Sequence, residues 1–187
     1  MRKLISKAVR SVNSHPHPEP GIAGPAAIAF REAMSRVAGA VHVVATDGPA
    51  GRAGLTATAV TSVSDMPPSL IVCLNATSRT SGILKANGAF SVNTLAAGHV
   101  SVARHFSRSG LSMDERFAHG EWQKGPGGAP LLVGALARFA LKVQDLRQVG
   151  SHFVVVGDVL SAEAGADAEP LVYHRRDYRV LHDTDHA

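Results

Sequence analysis

Arg52-Ala-Gly-Leu-Thr-Ala-Thr-Ala-Val-Thr-Ser-Val-Ser-Asp-Met-Pro-Pro-Ser-Leu-Ile-Val-Cys-Leu-Asn75 reads as strand, turn, strand. The first arm, Leu55 to Ser64, mixes β-branched residues with Ala and Ser and suits a pleated, half-buried surface. In the turn, Asp65-Met66-Pro67-Pro68, two prolines fix φ and remove two backbone donors, so pairing stops there. The second arm, Ser69 to Leu74, is a short apolar run, the pattern of a strand buried on both faces. The first arm carries small side chains almost throughout: Thr56, Ala57, Thr58, Ala59, Thr61, Ser62 and Ser64. A packed core wants larger groups. Small residues and hydroxyls fit a flat guest lying close to the backbone, with amides and hydroxyls turned toward it.

Around this stretch, 187 residues are enough for one domain with a real core. Hydrophobic residues make up 45% and charged ones 18%, which excludes a disordered chain. Aromatics are only 5%, so Val, Leu, Ala and Ile must build the core. The net charge of +4 raises the question of nucleic acid. Its cations are scattered, with no Lys/Arg stripe interleaved with aromatics, so nucleic-acid binding is not expected. A mildly basic surface equally suits anionic ligands. Cys73 is the single cysteine, so an intrachain disulfide and a thiolate metal cluster are both excluded. Its apolar neighbours place it in a buried strand as a small core hydrophobe. No apolar run reaches membrane-spanning length, and the basic start is too short and charged for a signal peptide, so the expected location is cytoplasmic.

Residues 1–24 differ in composition from the rest. Ser14-His-Pro-His-Pro-Glu-Pro-Gly21 alternates proline with polar residues, which predicts a flexible arm ahead of a domain over 25–187. His15 and His17 lack a nearby third ligand and read as part of a solvated arm, and no metal site is expected. A helix begins near Pro25. Phe30, Met34, Val37 and Val41 fall on one helical face, the spacing of a stripe packed on the core, and Gly39 ends the helix. Val41 to Thr46 is a strand, and Asp47-Gly48-Pro49 turns it into the quoted stretch.

Beyond Asn75, Thr77 or Ser78 is the N-cap of a short helix that Gly88 stops. Its start carries Ser78, Arg79, Thr80 and Ser81. Orphan amides, hydroxyls and a guanidinium there form either a phosphate seat or a plain cap with surface hydroxyls. The small-residue strand before it favours phosphate. Asn93 stands inside the strand Ala89 to Leu95 and needs a partner, from backbone or ligand. Val100 to Ser107 and Met113 to Ala118 read as helices, and Glu121 to Pro130, with Trp122, as loop. Ala137 to Val143 alternates as a half-buried strand, Ser151 to Leu160 is a strand interrupted at Gly157, and Leu171 to Leu181 closes the domain. Turns join these strands in place of regular βαβ crossovers. The expected fold is therefore mainly β, an antiparallel barrel with peripheral helices. No Gly-x-Gly-x-x-Gly follows a strand, which argues against a Rossmann site.

Gly54-Leu-Thr-Ala-Thr-Ala-Val-Thr-Ser-Val-Ser64, Pro67-Pro68 and Leu70-Ile-Val-Cys-Leu-Asn75 together resemble the signature of the short-chain flavin reductases. These are the small NAD(P)H:flavin oxidoreductase partners of two-component monooxygenases. The segment Thr46 to Gly54 is most similar to the branch serving bacterial pyrimidine utilisation, and the resemblance runs from Phe30 to Leu181. It implies a six-stranded antiparallel FMN-binding split barrel, a homodimer, and flavin near the subunit interface. It also implies that Thr56, Ala57, Thr58 and Ala59 line the isoalloxazine, that Ser62 and Val63 continue that wall, and that Asn75, Ser78 and Thr80 hold the ribityl chain and phosphate. Asn93, Arg104 and Phe106 match family positions near the flavin. His152, in Gly150-Ser-His-Phe153, resembles the histidine of the family's Gly-Asp-His motif on the nicotinamide side, with Ser151 in place of Asp. Read alone, it is equally a strand-end histidine capping exposed backbone. Tyr173, Arg175 and Tyr178 resemble a C-terminal pattern near the nicotinamide nucleotide, and otherwise read as a charged edge strand.

The implied activity is reduction of FMN or FAD by NADH or NADPH, with reduced flavin passed to a separate monooxygenase. The alternative is a non-catalytic flavin-binding module of the same fold, for which Ser151 is the one feature. A related oxidase acting on pyridoxine phosphate is disfavoured, because the Thr-Ala-Thr-Ala and Ser-Arg-Thr segments match the reductases. Neither the choice of flavin, nor that of nucleotide, nor the partner oxygenase is legible.

Overall fold

The computed structural model describes residues 24–165 and 167–181. The arm before Gly24, with His15 and His17, lies outside the described residues. In chain order the elements are α1 (Pro25–Ser35), β1 (Gly39–Ala40), β2 (His42–Thr46), β3 (Ala53–Ala57), β4 (Val60–Asp65), β5 (Pro68–Asn75), α2 (Arg79–Asn87) and β6 (Ala89–Thr94). Then follow α3 (Val100–Ser107), α4 (Met113–Phe117), β7 (Trp122–Lys124), β8 (Pro130–Leu132), β9 (Ala137–Val149), β10 (His152–Ala164), β11 (Leu171–His174) and β12 (Asp177–Val180).

The expected single arm over 55–64 is two strands. β3 ends at Ala57 and pairs with β2, whereas β4 starts at Val60 and pairs with β5. The main sheet runs β3-β2-β6-β9-β10-β5-β4, every pair antiparallel. Its outermost strands, β3 and β4, are therefore consecutive in the chain and joined only by Thr58-Ala59. Three Cα steps span at most about 11 Å, so the sheet must curl until its edges meet. The result is a barrel split at Thr58-Ala59. It has seven strands where six were expected, because the split divides one of the six.

The barrel interior holds Val44, Val72, Leu74, Leu84, Phe90, Val92, Leu141 and Val155. A second apolar layer, with Val41, Val43, Ala45, Val102, Phe106, Phe117, Leu132 and Leu171, packs α3, α4 and the β8 segment on the outer face of β2. β2 is thus buried on both faces, as its pattern shows. Gly54 permits this layering: a Cβ there would lie 2.6 Å from the Phe106 ring. Gly157 does mark a register shift in β10, and a Cβ there would lie 2.7 Å from Phe90.

α1 starts at Pro25 but ends at Ser35, and Gly39 belongs to β1. Its apolar stripe does not enter the core: Phe30, Met34 and Val37 are 64%, 49% and 58% exposed. Polar ties hold the helix instead. Arg175 N–H donates to Ser35 O at 2.6 Å, and Arg176 pairs with Glu32 at 3.0 Å. Trp122 is in β7, paired with β8, and its ring packs on Phe106 and Phe117. β5 buries Val72 and Leu74 on one face, and on the other Cys73 is only half-buried. β11 and β12 leave the barrel and form a small sheet with β1.

Candidate functional site

The split in the barrel creates the site. β3 is an edge strand, so one side of its backbone has no ladder partner. Across the split, no acceptor for the Thr58 or Ala59 N–H is found among the described residues, while their carbonyls accept from Val60 and Cys73. The side chains here are small, so a planar group can approach the backbone. A central cleft of about 430 Å³ opens on this wall. Thr56, Ala57 and Thr58 form one side, Arg104 and Ser107 of α3 another, and Tyr173, Arg176 and Tyr178 the third. The two tyrosine rings meet edge to face at 5.4 Å. Thr56 Oγ1 donates to Ala103 O at 2.7 Å, which fixes α3 against β3.

Ser107 also borders a second cleft of about 240 Å³, at the start of α2. Ser78, Arg79 and Thr80 face Arg108, Ser109 and Arg116 across it. Ser78 is the N-cap, and its hydroxyl makes no cap bond. Thr80 Oγ1 donates to Gly54 O at 3.2 Å and Ser81 Oγ to Asn75 O at 2.7 Å, so these two hydroxyls fasten α2 to β3 and β5. Arg116 donates to the carbonyls of Phe106 and Arg108, both at 2.6 Å, and Leu111 at 3.4 Å. It thereby caps the end of α3 and shapes the far wall. Burial lowers the Arg116 pKa, yet a guanidinium keeps its charge. Helix amides, a free hydroxyl and three guanidinium groups around one small cavity fit a phosphate.

A third cleft, about 390 Å³, lies between α1 and Thr58-Ala59 and adjoins the central one through Thr58, Tyr173 and Arg176. Burial or exposure sorts the remaining expected site residues. Asn93 is fully buried. Its amide donates to Val43 O, Ser91 Oγ and Pro130 O and accepts from Leu132 N–H, so its partners are protein and it clamps β6 to β2 and β8. Phe106 touches the α2 cleft but is 1% exposed, part of the aromatic cluster. Ser62 and Val63 are exposed on β4, at a bulge outside the clefts. Asn75 Oδ1 accepts from Thr77 N–H and Oγ1 and so builds the turn into α2 without lining it.

His152 stands opposite Asn75 in the ladder, exposed, with Nδ1 2.9 Å from Ser151 Oγ. It does not line the central cleft with the tyrosines. Arg175, at φ +52°, sits in the β11–β12 turn, and its neighbour Arg176 lines the cleft instead. Sequence reading passed over Ser107, Arg108, Arg116 and Arg176. Phe106-Ser-Arg-Ser-Gly110 resembles an ordinary helix stop, and a two-residue turn decides which arginine of the pair points inward.

Among the described residues, no helix is long and apolar enough to cross a membrane, and no cluster of three metal-binding side chains occurs. The family model described as "flavin reductase like domain" matches residues 34–182. An FMN reductase (NADH), RutF, from Methylorubrum extorquens strain DM4 is 49% identical over 155 residues, covering 83% of this chain and 75% of its own. BorF, the flavin reductase component of a bacterial two-component tryptophan halogenase, superposes with a TM-score of 0.78 at 34% identity, over 84% of this chain and 99% of its own. The NADH:FAD oxidoreductase SgcE6 of Streptomyces globisporus, solved with NAD and FAD fragments, superposes with a TM-score of 0.79 at 27% identity, over 89% of this chain and 99% of its own. With the split barrel, the small-residue wall and a matched span of most of the chain, this chain belongs to the flavin reductase like family.

Proposed function

We propose that the protein is an NADH-dependent flavin reductase that takes FMN as its flavin and releases it reduced to a separate monooxygenase. The observation that carries this is the continuity of the central and α2 clefts through Ser107. One holds a flat ring against Thr56 to Thr58, and the other holds a phosphate at the start of α2. The bound flavin supplies the chemistry, accepting a hydride from the reduced nicotinamide and a proton from solvent. The chain's residues supply the rest. The Thr58 and Ala59 amides face the polar edge of the ring, and Arg104 lies beside it. Ser78, with Arg79 and Arg108, takes the phosphate, and Tyr173 and Tyr178 wall the opposite side. FMN is favoured over FAD because the FMN reductase of M. extorquens carries that flavin in its name. NADH is favoured because the same name carries that donor.

His152, outside the central cleft of its own chain, is assigned to the nicotinamide side by its likeness to the family's Gly-Asp-His motif, with Ser151 Oγ 2.9 Å from its Nδ1. The functional unit is a homodimer, in which the exposed face of α1 finds its cover. In the test, wild type should oxidise NADH only when flavin is added, FMN better than FAD. His152→Ala should lower kcat about tenfold or more while FMN affinity stays within a factor of about two. Flavin binding without NADH oxidation would leave a flavin-binding module, and a joint collapse of affinity and turnover would make His152 structural.

A further inference from the structure

α3 ends at Ser107, on the wall of the α2 cleft. The last carbonyls of a helix lack partners within it and together carry about half a negative charge, which repels an anion. Side chains take up several of these carbonyls. Ala103 O accepts from Thr56 Oγ1, Arg104 O from Ser107 Oγ, and Phe106 O from Arg116. Arg116 reaches further: its guanidinium also donates to Arg108 O and Leu111 O. One side chain thus holds three carbonyls along the segment 106–111. The same segment brings Ser107, Arg108 and Ser109 to the cleft. α4, which carries Arg116, is anchored in turn. Ser112 and Glu115 form a capping box at its start, Asp114 pairs with Arg52 at 3.0 Å, and Phe117 meets Phe106 edge to face at 5.0 Å. Among the described residues no carboxylate pairs with Arg116, and none lines the α2 cleft.

We infer that Arg116 is a positioning residue for the flavin phosphate: its fork ties the α3–α4 segment into the shape that presents Ser107, Arg108 and Ser109 to the α2 cleft. This rests on that cleft being the phosphate seat of a flavin reductase. Arg116 acts through the segment and leaves contact with the phosphate to Ser78, Arg79 and Arg108. By occupying the carbonyls of residues 106, 108 and 111, it lets hydroxyls and a guanidinium face an anion at what is otherwise the wrong end of a helix. A lysine would keep the charge, but its single ammonium has no planar fork to span three carbonyls.

The test compares FMN with riboflavin, which lacks the phosphate, by quenching of flavin fluorescence on the full chain. Arg116→Gln should weaken FMN about tenfold and leave riboflavin within a factor of about two. Arg116→Lys should still weaken FMN about threefold or more, again sparing riboflavin. Arg108→Gln should weaken FMN severalfold in the wild-type background. With Arg116→Gln already present it should add less than about twofold, because a guanidinium that has lost its place has little left to lose. Riboflavin binding checks the fold of each variant. Should Arg116→Gln fail to fold, Arg116→Lys carries the same comparison of flavins and the same pairing with Arg108→Gln. Parallel loss of both flavins would make Arg116 a purely structural residue. Full FMN affinity in Arg116→Lys would reduce it to a charge, and effects of Arg108 and Arg116 that multiply would make the two independent. Each of these outcomes overturns the assignment. A wild type that binds FMN no more tightly than riboflavin would overturn the phosphate seat and the assignment with it, while NADH oxidation with riboflavin would leave the reductase reading standing.

Discussion

His42 stands on β2 between Ala57 of β3 and Thr94 of β6, with Nδ1 3.1 Å from Thr94 Oγ1. Burial pushes its imidazole down from 6.5 to about 4. The folded ring is thus neutral where the unfolded ring begins to charge. Its contribution to stability is complete above the unfolded value and is lost as pH falls through that value toward about 4. Between pH ~7 and pH ~5 the loss is about 2 kcal/mol. Urea midpoints measured across that interval should fall in wild type and fall markedly less in His42→Gln. Parallel slopes in the two proteins would assign the acid sensitivity elsewhere. Asn93 shows what single residues disclose in advance. An amide inside a strand announces that it needs partners. That these are Val43 O, Pro130 O and the Leu132 N–H, all distant in sequence, follows only from the strand order.

Among the elements, α2 is the one on which the proposed phosphate seat rests. Its N-cap Ser78 and its stop at Gly88, with φ +69°, were both readable from local chemistry. Its far wall was not, because Arg108 and Arg116 arrive from the α3–α4 segment. If its start seats a phosphate, Ser78→Ala, which removes a hydroxyl that makes no cap bond, should weaken FMN severalfold and riboflavin much less, read by quenching of flavin fluorescence. Equal weakening of both flavins would remove the seat and leave a damaged helix start. α1 is the opposite case. Its 3.6-residue stripe is real, but periodicity reports only that one face is apolar and is silent on what covers it. In this chain the core is complete without it. The helix is fastened by Glu32 and Ser35 to the turn at Arg175-Arg176, and Phe30 is left in solvent.

At the scale of the molecule, the strand order explains why the site lies where it does. Two edges of one sheet are joined by two residues, and the backbone left unpaired there is the wall of the central cleft. The small side chains of 56–59 pointed to that wall in the sequence. The break at Thr58-Ala59 did not show, because β3 and β4 share one composition and differ only in the strands they pair with. Phe30 and Met34 of α1, with Val37 just beyond its end, leave an exposed apolar face, the kind of patch that marks an interface. Sedimentation should find twice the mass of one chain, and Phe30→Glu should shift the protein toward monomer. A wild-type monomer would refute the dimer. The measurement closest to the central claim is anaerobic mixing of a trace of protein with excess FMN and limiting NADH, followed by the loss of the oxidised-flavin band. One flavin should be reduced for each NADH consumed, far beyond the amount of protein, as reduced flavin leaves and fresh FMN enters. Bleaching that stops at one flavin per protein chain, or none at all, would contradict it.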